Sequence, residues 1–351
     1  MHAYVGSFTT RERKARGKGI SVYRVDGVGG AWTLIQANDA MPNPGFLALD
    51  HQQRFLYAAH GDSGEISSYS IDKVTHRVEL LNRQPTDGDN SPHLTVDPGN
   101  RYVVLANGPG IAVFPINGDG SLAPASDIVM PPGEAGPYRR EQGHGAHPHQ
   151  VLFDTSGRFL VAPDKGVDRA HVYRLDSLKG RLVPGDTPFV KTRYGAGPRH
   201  MAFHPAQPYA YLINELNSTV TTYRWDTARG ELVPLQVITT LPTDHTGDNT
   251  GAEIAVAPSG AFVFGTNRGH DSIVIYGVDQ GTGLLRHAGW ESTQGRKPRF
   301  FTLDPTGSLL YVANESSDTI VAFRIDQKTG KLTPAGQVIQ TGSPSCIVFA
   351  P

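Results

Sequence analysis

The chain has 351 residues, with 40 Gly, 26 Pro and 38% apolar residues, a composition suited to an all-β fold with many tight turns. Its 32 Lys and Arg against 33 Asp and Glu leave a formal charge of −1, so no global field draws it to nucleic acid or to an anionic membrane. One cysteine, Cys346, excludes an internal disulfide framework and a cysteine-based zinc site.

The N-terminus, MHAYVGSFTT, enters a strand-like run at once and lacks the basic start and apolar core of a signal peptide. No apolar run is long enough to span a bilayer. The expectation is a soluble chain in the cytoplasm. Residues Ala3 to Gly6, Ile20 to Val25 and Trp32 to Gln36 supply three strands, with the basic run Arg11 to Lys18 as a solvated loop between the first two. From Phe46 onward one pattern recurs at intervals of roughly fifty residues, in the range of propeller repeats. An apolar run meets a tight turn and returns as a second apolar run. Phe46–Leu49 precedes Arg54–Ala58, His93–Val96 precedes Arg101–Leu105, and Val151–Phe153 precedes Arg158–Val161. Met201–Phe203 precedes Tyr209–Leu212, Ile254–Val256 precedes Ala261–Phe264, and Phe300–Leu303 precedes Leu309–Val312. Third and fourth runs follow in each unit. A last, unaccompanied first strand lies at Cys346–Phe349. Four antiparallel strands per unit, repeated radially, make a β-propeller. Six complete units plus a composite of both termini predict seven blades in one domain, residues 1–351. Pairing the two termini in one blade removes an exposed edge.

Irregular polar sequence collects where the innermost strands begin. The longest insertion runs from Met130 to Ala146, and a smaller one from Asp244 to Thr250. At that same edge lie the starts of first strands and the ends of second strands. Blade 4 offers His147, His149, Gln150 and Asp164, and blade 5 offers Arg199, His200, Asn214 and Glu215. Blade 6 offers Glu253, Asn267, Arg268, His270 and Asp271, and blade 7 offers Arg299, Asn314 and Glu315. Blade 3 adds Asn107, and the insertion adds Arg139, Arg140 and Gln142. Several arginines there suit an anion, carboxylate or phosphate, through forked hydrogen bonds. A His and a Glu beside them can move protons near neutral pH. Asp50, Asp97, Asp154, Asp304 and His204 each precede a tight turn and read as turn residues. The run His144-Gly145-Ala146-His147-Pro148-His149 invites a metal, but no third ligand at a recognised spacing accompanies it, so no metal and no cofactor is expected. A GxSxG elbow is absent, which argues against a serine nucleophile.

The segments HPHQVLFDTSGRFLVAPDKGVDR, GPRHMAFHP with NELNS, AEIAVAPSG with NRGHDS, and PRFFTLDPTGSLLYVANESSD resemble the seven-bladed propeller lactonase family. That family includes propeller-type 6-phosphogluconolactonases and the carboxy-cis,cis-muconate lactonizing enzymes. The resemblance implies that His149, Arg199, Glu215 and Arg268 are catalytic. Arg140 and Gln142 match a further Arg and Gln of the family, and His147, His200, Asn214, His270 and Arg299 join them as substrate-binding candidates. It implies a small anionic lactone as the partner, with 6-phosphoglucono-δ-lactone as the expected substrate. Opening an ester ring needs an activated water and a stabiliser for the oxyanion, so the expected roles are Glu215 or His149 to activate water, Arg199 to stabilise the oxyanion, and Arg268 with Arg140 to hold the phosphate. A dicarboxylate substrate and a non-catalytic binding propeller are the alternatives. The chain departs from the family pattern at Ala59-His60 and Asn107-Gly108, where Asn-Glu and Asn-Tyr are common.

Overall fold

The computed structural model describes residues 1–27 and 29–350. Among the described residues, twenty-eight strands pair into seven four-stranded antiparallel sheets. Blade 1 orders Pro344–Ala350, His2–Ser7, Ile20–Val25 and Trp32–Asn38 from the inside out. Blades 2 to 7 follow as residues 44–85, 93–129, 152–191, 198–239, 250–292 and 298–340. Inner strands of each blade pack on the inner strands of the next all the way round, blade 4 through its second strand, and this closes the ring. Apolar side chains of neighbouring blades interlock between the sheets. Phe159, Met201, Tyr223 and Trp225, for example, join blades 4 and 5. No described helix is long and apolar enough to cross a membrane.

The closing strand lies where the lone apolar run at the C-terminus predicts. Its register runs from His2 opposite Ala350 to Gly6 opposite Cys346. Cys346 and Ile347 are fully buried. Removing residues 344–351 would leave the backbone of His2–Ser7 as an open edge and uncover that apolar surface. The shortened chain is expected to aggregate, which size-exclusion chromatography of the refolded protein would reveal.

The turn residues behave as their type dictates. Asp50 Oδ1 accepts from the backbone N–H groups of Arg54 and Phe55 at 2.6 and 2.7 Å, and Asp97 and Asp154 repeat the arrangement. His204 fills the same slot with Nδ1, which accepts from Ala206 and Gln207.

A feature absent from the sequence pattern aims the site residues. In blades 2, 5, 6 and 7 the register of the first strand shifts near its start. Pro198 faces Asn214 and His200 faces Ile213, so Arg199 is the extra residue of a bulge. Arg299 occupies the same place in blade 7, between Pro298 and Phe300. A bulge re-aims a side chain that regular alternation would have sent elsewhere.

Candidate active site

The axis of the ring is filled at this end by aromatic rings from five innermost strands or their approaches. Phe46 lies 4.0 Å from His93 and 5.7 Å from Phe300, centroid to centroid, and His93 lies 5.5 Å from His200. His200 in turn lies 5.1 Å from His149. Polar groups stand against this plug. Arg199 Nε donates to Glu215 Oε2 at 3.0 Å, and Arg199 Nη1 donates to the carbonyl of Ala252 at 2.6 Å. Arg268 Nη2 stands 3.1 Å from the same Oε2 and donates to the carbonyl of Gly251 at 2.8 Å. Lys165 Nζ donates to Glu215 Oε1 at 3.2 Å. Three cations share one carboxylate, so two positive charges remain without a partner carboxylate.

Blade 7 repeats the device at the same register. Arg299 stands 3.8 Å from Glu315 Oε2, and Lys297 donates to Glu315 Oε1 at 2.7 Å. The guanidinium of Arg299 lies over the Phe8 ring, whose other neighbour is Arg13. The basic loop from Arg11 to Lys18 is therefore tied down more than a solvated loop would be, because Arg13 pairs with Asp62 and Arg16 with Asp318.

Electrostatics separate the two base candidates. Burial alone would raise the pKa of Glu215, yet Arg268, Lys165, Arg199 and Arg299 hold it well below the usual carboxylate range. Both of its oxygens are already taken by these cations, so no free lone pair is aimed at a water. His149 is pushed well below 6.5, first by burial and then by Arg199, His200 and Lys165, so its ring is neutral at neutral pH. A neutral ring carries a lone pair. Burial also raises Glu253, to about 8, against the pull of Arg199.

The structure joins Arg199 and Arg268 to Glu215 and joins His149 to His200, with Arg199 near enough to bear on both rings and with Arg299 and His147 adjacent. Several expected substrate contacts have other tasks. Gln142 is buried, and its Nε2 donates to the Lys165 carbonyl and to Asp168 Oδ1 while its Oε1 accepts from Tyr138 N–H, so it tethers the insertion to the ring. Arg140, on the short helix Arg139–Gln142, has a side chain 93% exposed beside Glu141 and does not reach the cations. Asn214 Nδ2 donates to the hydroxyls of Thr219 and Thr221, which caps the turn. Both nitrogens of His200 are taken, one by Glu253 and one by His149. His270 Nδ1 is engaged by the Ser272 hydroxyl. Asn107, Asn267 and Asn314 donate Nδ2 to the carbonyls of Thr86, Thr240 and Thr293, which ties each second strand to the segment entering its blade. The His60 departure is filled structurally, its ring held by the Pro42 carbonyl and the Ser67 hydroxyl.

Lys165, His93 and the link from Glu253 to His200 escaped the sequence reading. Lys165 follows the last residue of a second strand, the slot that holds Glu215 and Glu315, so the repeat register could have found it. Beside the cations opens a cleft of about 570 Å³, lined by Tyr138 and Glu141 of the insertion and by Glu215, Asn249 and Arg268.

The sequence is 34% identical to a 6-phosphogluconolactonase of Bacillus subtilis over 86% of this chain and 84% of that protein. It is 31% identical to a 6-phosphogluconolactonase of Formosa agariphila over 86% of each. The fold superposes on a periplasmic gluconolactonase of Pseudomonas aeruginosa with a TM-score of 0.90 and 29% identity, over 100% of this chain and 99% of that one. Residues 2–349 match the family described as lactonase, 7-bladed beta-propeller, and the chain belongs to that family.

Proposed function

We propose that the chain is a lactone hydrolase that opens 6-phosphoglucono-δ-lactone to 6-phosphogluconate in the cytoplasm, through a single propeller domain without a cofactor. The observation that carries the reading is the surplus of two positive charges around Glu215, next to a neutral, buried His149. A phosphate dianion matches that surplus, and cations in a partly dry cleft bind it through charge-assisted hydrogen bonds. The similarity to named 6-phosphogluconolactonases supports the same substrate.

In this reading His149 accepts a proton from water as the oxygen attacks the lactone carbonyl carbon. The carbonyl oxygen becomes an oxyanion that faces Arg199, with Lys165 close by. Collapse of the tetrahedral intermediate breaks the bond between that carbon and the ring oxygen. The ring oxygen then takes the proton from His149, which returns to its neutral form. Glu215 holds the cations in place and ionised, and does not itself take the proton. Arg268 and Arg299 receive the phosphate, in place of the solvent-directed Arg140.

Steady-state kinetics of Arg268→Met test this division. Losing a hydrogen bond to a charged group costs about 1.5–3 kcal/mol, so KM for the phosphorylated lactone should rise about ten- to a hundredfold. Turnover should change far less, because the lost contact is equally present in ground and transition states. A fall in kcat with KM unchanged would move Arg268 from binding to chemistry.

A further inference from the structure

We propose that Glu253 and His200 are positioning residues that fix the tautomer of His149, keeping its proton on Nδ1 and its lone pair on Nε2. The inference rests on the reading of His149 as the base.

The argument starts at the buried end. Glu253 Oε1 accepts the N–H of Ile254 at 3.1 Å and lies 2.8 Å from His200 Nδ1. Oε1 is assigned as acceptor toward His200 as well: as a carboxylate Glu253 can only accept, and as an acid it does so with its proton on Oε2. Oε2 has no partner of its own. His200 Nδ1 therefore carries a proton and donates it. A neutral imidazole has one donor and one acceptor nitrogen, so His200 Nε2 accepts. It lies 3.2 Å from His149 Nδ1, which must be the donor of that pair. His149 is left with its lone pair on Nε2, for which no partner is found among the described residues. Three residues from blade 6, blade 5 and the entry to blade 4 thus form one directional chain.

Surrounding groups keep both rings neutral, which the chain requires. Burial comes first for each. Arg199, Arg299 and Arg268 then disfavour a charge on His200 against the opposing pull of Glu215, and His93 faces it across the axis. Arg199, Lys165 and His147 act on His149, while Arg199 and Arg299 are the charges that bear on Glu253. If the chain ran the other way, His149 would present an N–H to the water and could not take its proton. The same orienting logic makes the buried acid of a Ser-His-Asp triad indispensable.

The test is nitrogen-15 NMR of the protein labelled at its histidine rings, combined with kinetics. In the wild type His149 should show a protonated Nδ1 and an unprotonated Nε2. Glu253→Gln keeps an oxygen for Ile254 and His200, and should keep both the tautomer and near-normal kcat. Glu253→Leu removes the acceptor and should let His149 reverse, with kcat at least about tenfold lower and KM unchanged. A wild-type His149 protonated at Nε2 would overturn the proposal, and this spectrum needs no variant to fold. So would full kcat in Glu253→Leu, or an equal fall in Glu253→Gln with the tautomer intact. If His149→Ala keeps normal turnover, the base assignment fails, while the wild-type spectrum still decides the tautomer.

Discussion

Arg199→Ala should lower turnover of the phosphorylated lactone about a hundredfold to a thousandfold, the usual loss when one donor to a developing oxyanion is removed. Arg199 sits in the bulge of the Pro198–Phe203 strand, fully buried, with Nε on Glu215 and Nη1 on the Ala252 carbonyl. Those bonds leave Nη2 for substrate and fix its direction before the lactone arrives. Were Glu215 the base, the pairing of Arg199 with it would add a second loss, the detuning of that carboxylate. The structure removes that half of the argument, because Arg268 and Lys165 keep Glu215 ionised without Arg199. The same two cations limit the folding cost, since Glu215 is not left as an unpaired buried charge. Steady-state kinetics with circular dichroism check the outcome. Near-normal kcat in a folded Arg199→Ala would place the oxyanion elsewhere.

His149→Ala should cost about a hundredfold to ten-thousandfold in kcat, the range for a positioned general base. It should also remove an acid limb from the pH profile. The base works only when neutral, so rate is lost as pH falls through its pKa. Burial, Arg199, His200 and Lys165 hold that pKa well below 6.5 in the free enzyme. With an unphosphorylated lactone, whose own charge does not titrate, wild-type kcat/KM should keep its plateau through pH 6.5 and fall only well below it. A midpoint at or above 6.5 would point to a different base.

The ring was legible because blades 2 to 7 write an apolar run, a tight turn and a second apolar run in the same order, with Asp or His at the turn in five of the six. The unaccompanied Cys346–Phe349 run identified the closing strand for the same reason. The pairing of Arg199 with Glu215 followed from one hairpin, where strand start and strand end share an edge. What stayed hidden depends on contacts between blades. Glu253 and His200 are 53 residues apart and meet only because blades 5 and 6 are neighbours. Phe46 and His93 look like core positions of inner strands, and only ring closure turns them toward the axis. Arg140 and Gln142 lie two residues apart, yet the short helix sends one to solvent and buries the other. The bulge at Arg199 leaves no mark in apolar alternation, because the residues on either side are Pro198 and His200.

The claim at the centre of this account is that the unbalanced cations around Glu215 select a phosphorylated lactone. The most direct measurement compares kcat/KM of the wild type, with chelator present, for 6-phosphoglucono-δ-lactone and for the same lactone without its phosphate. Two charge-assisted contacts to the phosphate, at about 1.5–3 kcal/mol each, predict a preference of at least about a hundredfold for the phosphorylated lactone, shrinking as salt is raised. Equal kcat/KM for the two lactones would contradict it, and would assign the cations to another anion.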